Sequence, residues 1–212
     1  MKKISIEEIY LNELNNENDW DELSSEYELS ENIIEEFADK VDWDYISVYQ
    51  NLSESFIEKH QNKLDWIYVS TNQTLSEPFI EKHADDVSWS DISKYQKLSE
   101  SFIEKHQNKV DWDLISMGQK LSEEFIEKFQ DRLNWDFISS SQKLSELFID
   151  KFANRVNWRL ISMCQNLSEP FIKKCKDKVD WDYVMTCQKL SKKFMNKYKN
   201  KVNKYIVSNY DI

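Results

Sequence analysis

The only three histidines of this chain, His60, His83 and His106, stand 23 residues apart. Imidazoles in register invite a metal-binding reading. A single zinc ion, however, needs all its ligands about 2 Å away, whereas equivalent atoms of stacked helical units stand roughly 8–10 Å apart. The same position, counted on in 23-residue steps, holds Phe37, Phe129, Phe152, Cys175 and Tyr198. A slot that accepts Phe, Tyr, Cys and His is expected to be a packing slot, so no metal ligands and no cofactor are assigned. Cys164 and Cys187 share another repeated position, and Cys175 falls in the histidine slot. Bridged cysteines need Cα atoms within about 7 Å, so neighbouring units should not link their thiols. Three cysteines make no disulfide framework, and an intracellular, cytoplasmic setting is the expectation. None has a histidine at general-base spacing. The carboxylates are many, but none forms an isolated pair on an apolar background, as acid–base work would need. Gly118, the one glycine, leaves no Gly-rich phosphate loop. No catalytic residues are assigned, and the chain is not expected to be an enzyme.

Two further sets of residues could touch a ligand. Eight tryptophans, Trp20, Trp43, Trp66, Trp89, Trp112, Trp135, Trp158 and Trp181, could stack bases or sugars. Their place on an apolar stripe makes core packing the better expectation. Gln50, Gln73, Gln96, Gln119, Gln142, Gln165 and Gln188 could read nucleotides. A one-base-per-repeat code needs two or three varying readers, and these do not vary. A structural ladder bonding the turn backbone is expected instead.

These residues recur because the chain repeats every 23 residues, eight times, from Asn18 to Lys201. Such a period signals a solenoid, in which each unit buries its apolar face against its neighbours. In the unit Val110–Arg132, Asp111 can cap a first helix beginning at Trp112, with Val110 and Ile115 as a hydrophobic staple. Ser122 caps a second helix, Glu123 favours its positive end, and Leu121 staples onto Ile126. The signals predict a helix of about nine residues followed by one of about ten. Pro78 and Pro170 both fall in the first turn of second helices, where proline is tolerated. The expected fold is all-α: an α-solenoid of eight tandem 23-residue helix-turn-helix repeats with N- and C-terminal caps. Residues 1–17 read as an N-terminal capping helix, 18–201 as the repeats and 202–212 as a C-terminal cap in which Lys204 replaces Trp. One Gly and two Pro in 212 residues argue against all-β folds. No apolar run is long enough to span a membrane, the N-terminus makes a poor signal peptide, and no membrane partner is expected.

The unit, written VDWxxIS…QxLSExFI, resembles short tandem helical repeats of large DNA viruses and phages. The resemblance covers Asn18 to Lys201. It implies an α-solenoid and a host-interaction role, and it carries over no catalytic residues.

The residues that vary are more telling. Two, five and six residues after Trp, the first helices carry a stripe that includes Tyr45, Tyr49, Tyr68, Tyr95, Leu114, Met117, Phe137 and Met163. Aromatics and Met not dictated by the repeat suit a partner-binding surface; packing between repeats is the competing reading. Charge varies too. Residues 1–86 carry 22 acidic and 6 basic side chains, and residues 156–212 carry 5 and 12. Lys173, Lys174, Lys176, Lys193 and Lys197 form a candidate basic pole. The leading expectation is a non-catalytic protein–protein interaction scaffold, as a viral or phage effector would be. The alternatives are an acidic nucleic-acid mimic, or weak nucleic-acid binding through the basic repeats.

Overall fold

The computed structural model describes residues 20–203. The expected N-terminal cap, Asn18 and Asp19 of the first repeat, and residues 204–212 of the C-terminal cap lie outside the described residues. Those described form sixteen α-helices and no strand, with one isolated bridge residue at Glu28. They are an α-solenoid of paired helices in 23-residue steps. The chain divides into two compact units, Met1–Val110 and Asp111–Ile212.

In the first unit the first helices of each pair are α1 (Trp20–Glu26), α3 (Trp43–Tyr49), α5 (Trp66–Asn72) and α7 (Trp89–Tyr95). The second helices are α2 (Glu31–Glu36), α4 (Glu54–Lys59), α6 (Glu77–Lys82) and α8 (Glu100–Lys105). Each Trp follows its cap: the Asp42 carboxylate accepts from the Asp44 and Tyr45 N–H groups, at 2.8 and 3.2 Å. Ser53 Oγ likewise accepts from the Phe56 N–H at 3.2 Å. The helices are seven and six residues long, shorter than the nine and ten that the caps suggest. The first helix stops because its C-cap Gln50 turns extended. The second stops at His60, where ψ swings to 19° and a separate turn closes from the Lys63 N–H to the His60 carbonyl at 2.8 Å.

Such short helices have no stability alone, and successive first helices pack side by side. Ile46, Val69 and Ile92 on first helices, and Ile57, Ile80 and Ile103 on second helices, are fully buried. Within this unit three polar ladders join successive repeats. Gln73 Oε1 accepts from the Leu52 N–H at 2.9 Å, while its Nε2 donates to the Gln50 and Ser47 carbonyls at 2.7 and 3.3 Å. Ser47 Oγ donates to its own helix at Trp43 O and accepts from the Asp65 N–H of the next repeat. Glu54 Oε1 accepts from the Ser76 N–H at 2.5 Å. Glu31 and Glu77, at the starts of α2 and α6, do the same for the Ser53 and Ser99 N–H groups.

The second unit repeats the design with first helices α9 (Trp112–Gly118), α11 (Trp135–Ser141), α13 (Trp158–Cys164) and α15 (Trp181–Cys187). Its second helices are α10 (Glu123–Lys128), α12 (Glu146–Lys151), α14 (Glu169–Lys174) and α16 (Lys192–Tyr198). Gln142 and Gln165 make the same three bonds. Ser139 Oγ accepts from the Asn157 N–H at 2.9 Å. No described helix is long and apolar enough to cross a membrane.

Candidate partner-binding surface

The histidine slot is a packing slot with an ionic edge. His60 stacks between Trp43 and Phe56, with ring centroids at 4.9 and 4.5 Å. Its Nε2 meets Glu35 of the preceding repeat at 2.9 Å. His83 repeats this with Trp66, Phe79 and Glu58, and its Nδ1 also meets Asp86 at 3.1 Å. Lys59 and, after it, His60 hold the Glu35 carboxyl below its ordinary value; Lys82 and His83 do the same to Glu58. His106 differs. Glu81 pairs with Lys105, and His106 Nε2 is buried without a hydrogen-bond partner. Burial pushes the His106 imidazole below its ordinary value. In the second unit Phe129 and Phe152 fill the slot against Trp112 and Trp135.

The tryptophans are half-buried, and only Trp181 is fully buried. Each indole lies on its own unit's slot or second-helix ring, and several donate to a carbonyl five residues back, as Trp43 does to Ala38 at 3.1 Å. A cation from the end of the same repeat sits over the ring, Lys63 over Trp43 at 4.8 Å and Arg132 over Trp112 at 4.8 Å. A ring with these neighbours presents little face for a base or a sugar.

The variable stripe divides by unit. In the first, Tyr45, Tyr49, Tyr68 and Tyr95 are all exposed, from 37% to 50%. Tyr45 and Tyr49 stack on one another at 5.8 Å. In the second, Leu114, Met117 and Phe137 are half-buried, and only Met163 is exposed. Two exposed hydrophobes lie outside the stripe: Ile67, at 59%, and Leu147, at 84%. Both are departures from the repeat, Ile67 standing where Asp44 stands one repeat earlier. That departure was the available signal.

Of the basic candidates, Lys173, Lys174, Lys176, Lys193 and Lys197 are all exposed. Lys174 pairs with Asp150 at 2.8 Å, and Lys197 lies over the Tyr198 ring. The same inter-repeat pairing joins Lys151 to Glu127. Cys164 and Cys187 are exposed and Cys175 is buried, all as free thiols. A comparison with protein families, characterised proteins and solved structures finds no match to this chain.

Proposed function

We propose that the chain is a non-catalytic scaffold that binds another protein through the outer face of its first helices. The observation that carries this reading is the cluster of exposed tyrosines, Tyr45, Tyr49, Tyr68 and Tyr95, on one unit. Tyrosine combines a large apolar ring with a polar tip and is enriched where proteins bind each other. The recurring polar residues support the same reading from the other side. Gln, Ser and Glu, the groups that could serve chemistry in most repeats, spend their bonds on the neighbouring backbone. The likeness to viral and phage repeats makes a host protein the partner of choice, and free, exposed Cys164 and Cys187 suit a reducing cell interior. The basic side chains of the last repeats would steer association.

A photo-crosslinking amino acid placed at Tyr68, and in a second protein at Glu36 on α2, tests this in cells. The expected result is one protein adduct from position 68 and none from position 36. No adduct at position 68 overturns the scaffold. A nucleic-acid-binding protein in the adduct, crosslinked in lysate with a yield that falls as salt rises, would favour the acidic mimic.

A further inference from the structure

Two grooves of similar size occur on the first-helix face, one in each unit. In the second unit, Arg159, Asp180, Asp182, Tyr183 and Thr186 line about 460 Å³. An arginine of the chain itself lines that groove. Arg159 Nη2 donates to the Tyr183 hydroxyl at 2.9 Å, and the guanidinium carbon lies 5.3 Å from the ring centroid. In the first unit, Asp42, Asp44, Tyr45, Val48, Tyr49 and Tyr68 line about 490 Å³.

The repeat relates the two grooves at two lining positions: Tyr183 corresponds to Tyr68, and Arg159, one residue after Trp, to Asp44. Where the second unit supplies its own guanidinium, the first supplies a carboxylate. We propose that the first-unit groove binds arginine side chains of a basic peptide segment of a partner protein, each guanidinium seated on a tyrosine ring beside an aspartate as Arg159 is on Tyr183. This rests on the scaffold reading and names the chemistry of its partner.

Charge complementarity supports that occupant. Asp44 and Asp91 are on the described first helices of this unit, and Lys94 is the one cation there, lying over its neighbour Tyr95 at 4.7 Å. A second copy meeting this face with the same face would bring carboxylate to carboxylate. Guanidinium suits the site better than ammonium because it stacks flat on a ring while donating in its plane to carboxylate and hydroxyl oxygens. The repeat also sets a register. First helices stand roughly 8–10 Å apart, and a peptide in the polyproline II conformation advances about 3.1 Å per residue with every third side chain on one face. An arginine at every third residue therefore meets successive repeats.

Calorimetric titration of the full chain at moderate salt tests the assignment. The probe is a peptide of four Arg-Ser-Ser triplets, compared with its citrulline, lysine and Arg-Ser-Ser-Ser-Ser counterparts. The arginine triplet peptide should bind best and the citrulline peptide, neutral but isosteric, should not bind. Tyr45→Ala with Tyr68→Ala should weaken binding about tenfold at unchanged charge. Asp44→Arg should rebuild the Arg159 arrangement on Tyr68 and weaken it by at least about tenfold. Glu36→Arg, with the same charge change on the exposed face of α2, should leave binding within about twofold. Circular dichroism confirms that each variant folds. Equal losses from Glu36→Arg and Asp44→Arg, or no loss from the tyrosine variants, would reduce the effect to net charge and overturn the proposal. So would equal binding of the lysine peptide, or self-association that the tyrosine variants abolish. No binding of any cationic peptide, with the crosslink at position 68 intact, overturns the arginine assignment alone. Arginine binding with no crosslinked partner overturns the scaffold and leaves the groove.

Discussion

Gln73 is buried, and three backbone groups of the preceding repeat depend on its carboxamide. Truncation would leave the Leu52 N–H and the Gln50 carbonyl without their partner in a dry interior. Unmet buried polar groups cost about 1–3 kcal/mol each. Gln73→Ala should therefore destabilise by about 3 kcal/mol in urea denaturation, an effect large for a polar residue. His106 makes a second residue-scale prediction, in its pH dependence. Its folded-state value lies below its ordinary 6.5, because burial disfavours the imidazolium. Stability from the neutral form is thus complete above about pH 6.5 and is lost as pH falls from there through the folded value. His106→Phe, which installs the residue found at Phe129 and Phe152, should remove that component. Denaturation from pH 7.5 down to pH 5 should show the variant gaining on the parent as pH falls. A constant difference would mean that His106 does not titrate with folding. The depressed carboxyls of Glu35, Glu58 and Glu81 act lower, their stabilisation being present above 4.5 and lost as pH falls further.

At the scale of the element, the helices exist because rings lock each pair together. Trp135 opens α11, donates its indole N–H to Gln130 O at 2.9 Å and lies on Phe152 and Phe148, at 5.2 and 6.4 Å. Replacing a core aromatic by alanine costs about 3–5 kcal/mol. Because Trp135 is half-buried, with Arg155 over its ring, Trp135→Ala should fall at the low end, about 3 kcal/mol. Urea unfolding measures it, and a loss under about 1 kcal/mol would mean an ornamental ring. Ser139→Ala should also destabilise, by about 1–2 kcal/mol, because the Asn157 N–H loses its acceptor.

At the scale of the whole molecule, the bonds between repeats carry fixed sequence offsets: 18 for the Ser ladder, 21 to 26 for the Gln ladder, 22 for the Glu ladder. Deleting 64–86 removes one full period and restores every offset between the flanking repeats. That protein should stay as helical per residue as the parent and melt only somewhat lower, as nearest-neighbour arrays do. Deleting 64–85 shifts every ladder by one residue and should collapse helicity around the junction. Circular dichroism and thermal melting distinguish the two, and equal behaviour would refute ladder-based cohesion. The period, the all-α class, both caps of each unit and the identity of the packing slot are legible in the sequence by itself, because caps and apolar spacing act within a few residues. The Gln ladder was legible too, since an invariant amide near a helix end has backbone groups within reach. The partner of Glu54 was not, because its acceptor role toward the Ser76 N–H arises only when two repeats stack. Helix length was not legible either, since His60 leaves the helix without a Gly or Pro to mark the end, and a separate turn closes from the Lys63 N–H to its carbonyl. Nor was the division of the stripe: Tyr45 and Leu114 occupy the same repeat position, yet only the first is exposed. Tertiary structure decided that, because exposure depends on what surrounds each side chain once the repeats have folded, and the spacing along a single chain does not contain those surroundings.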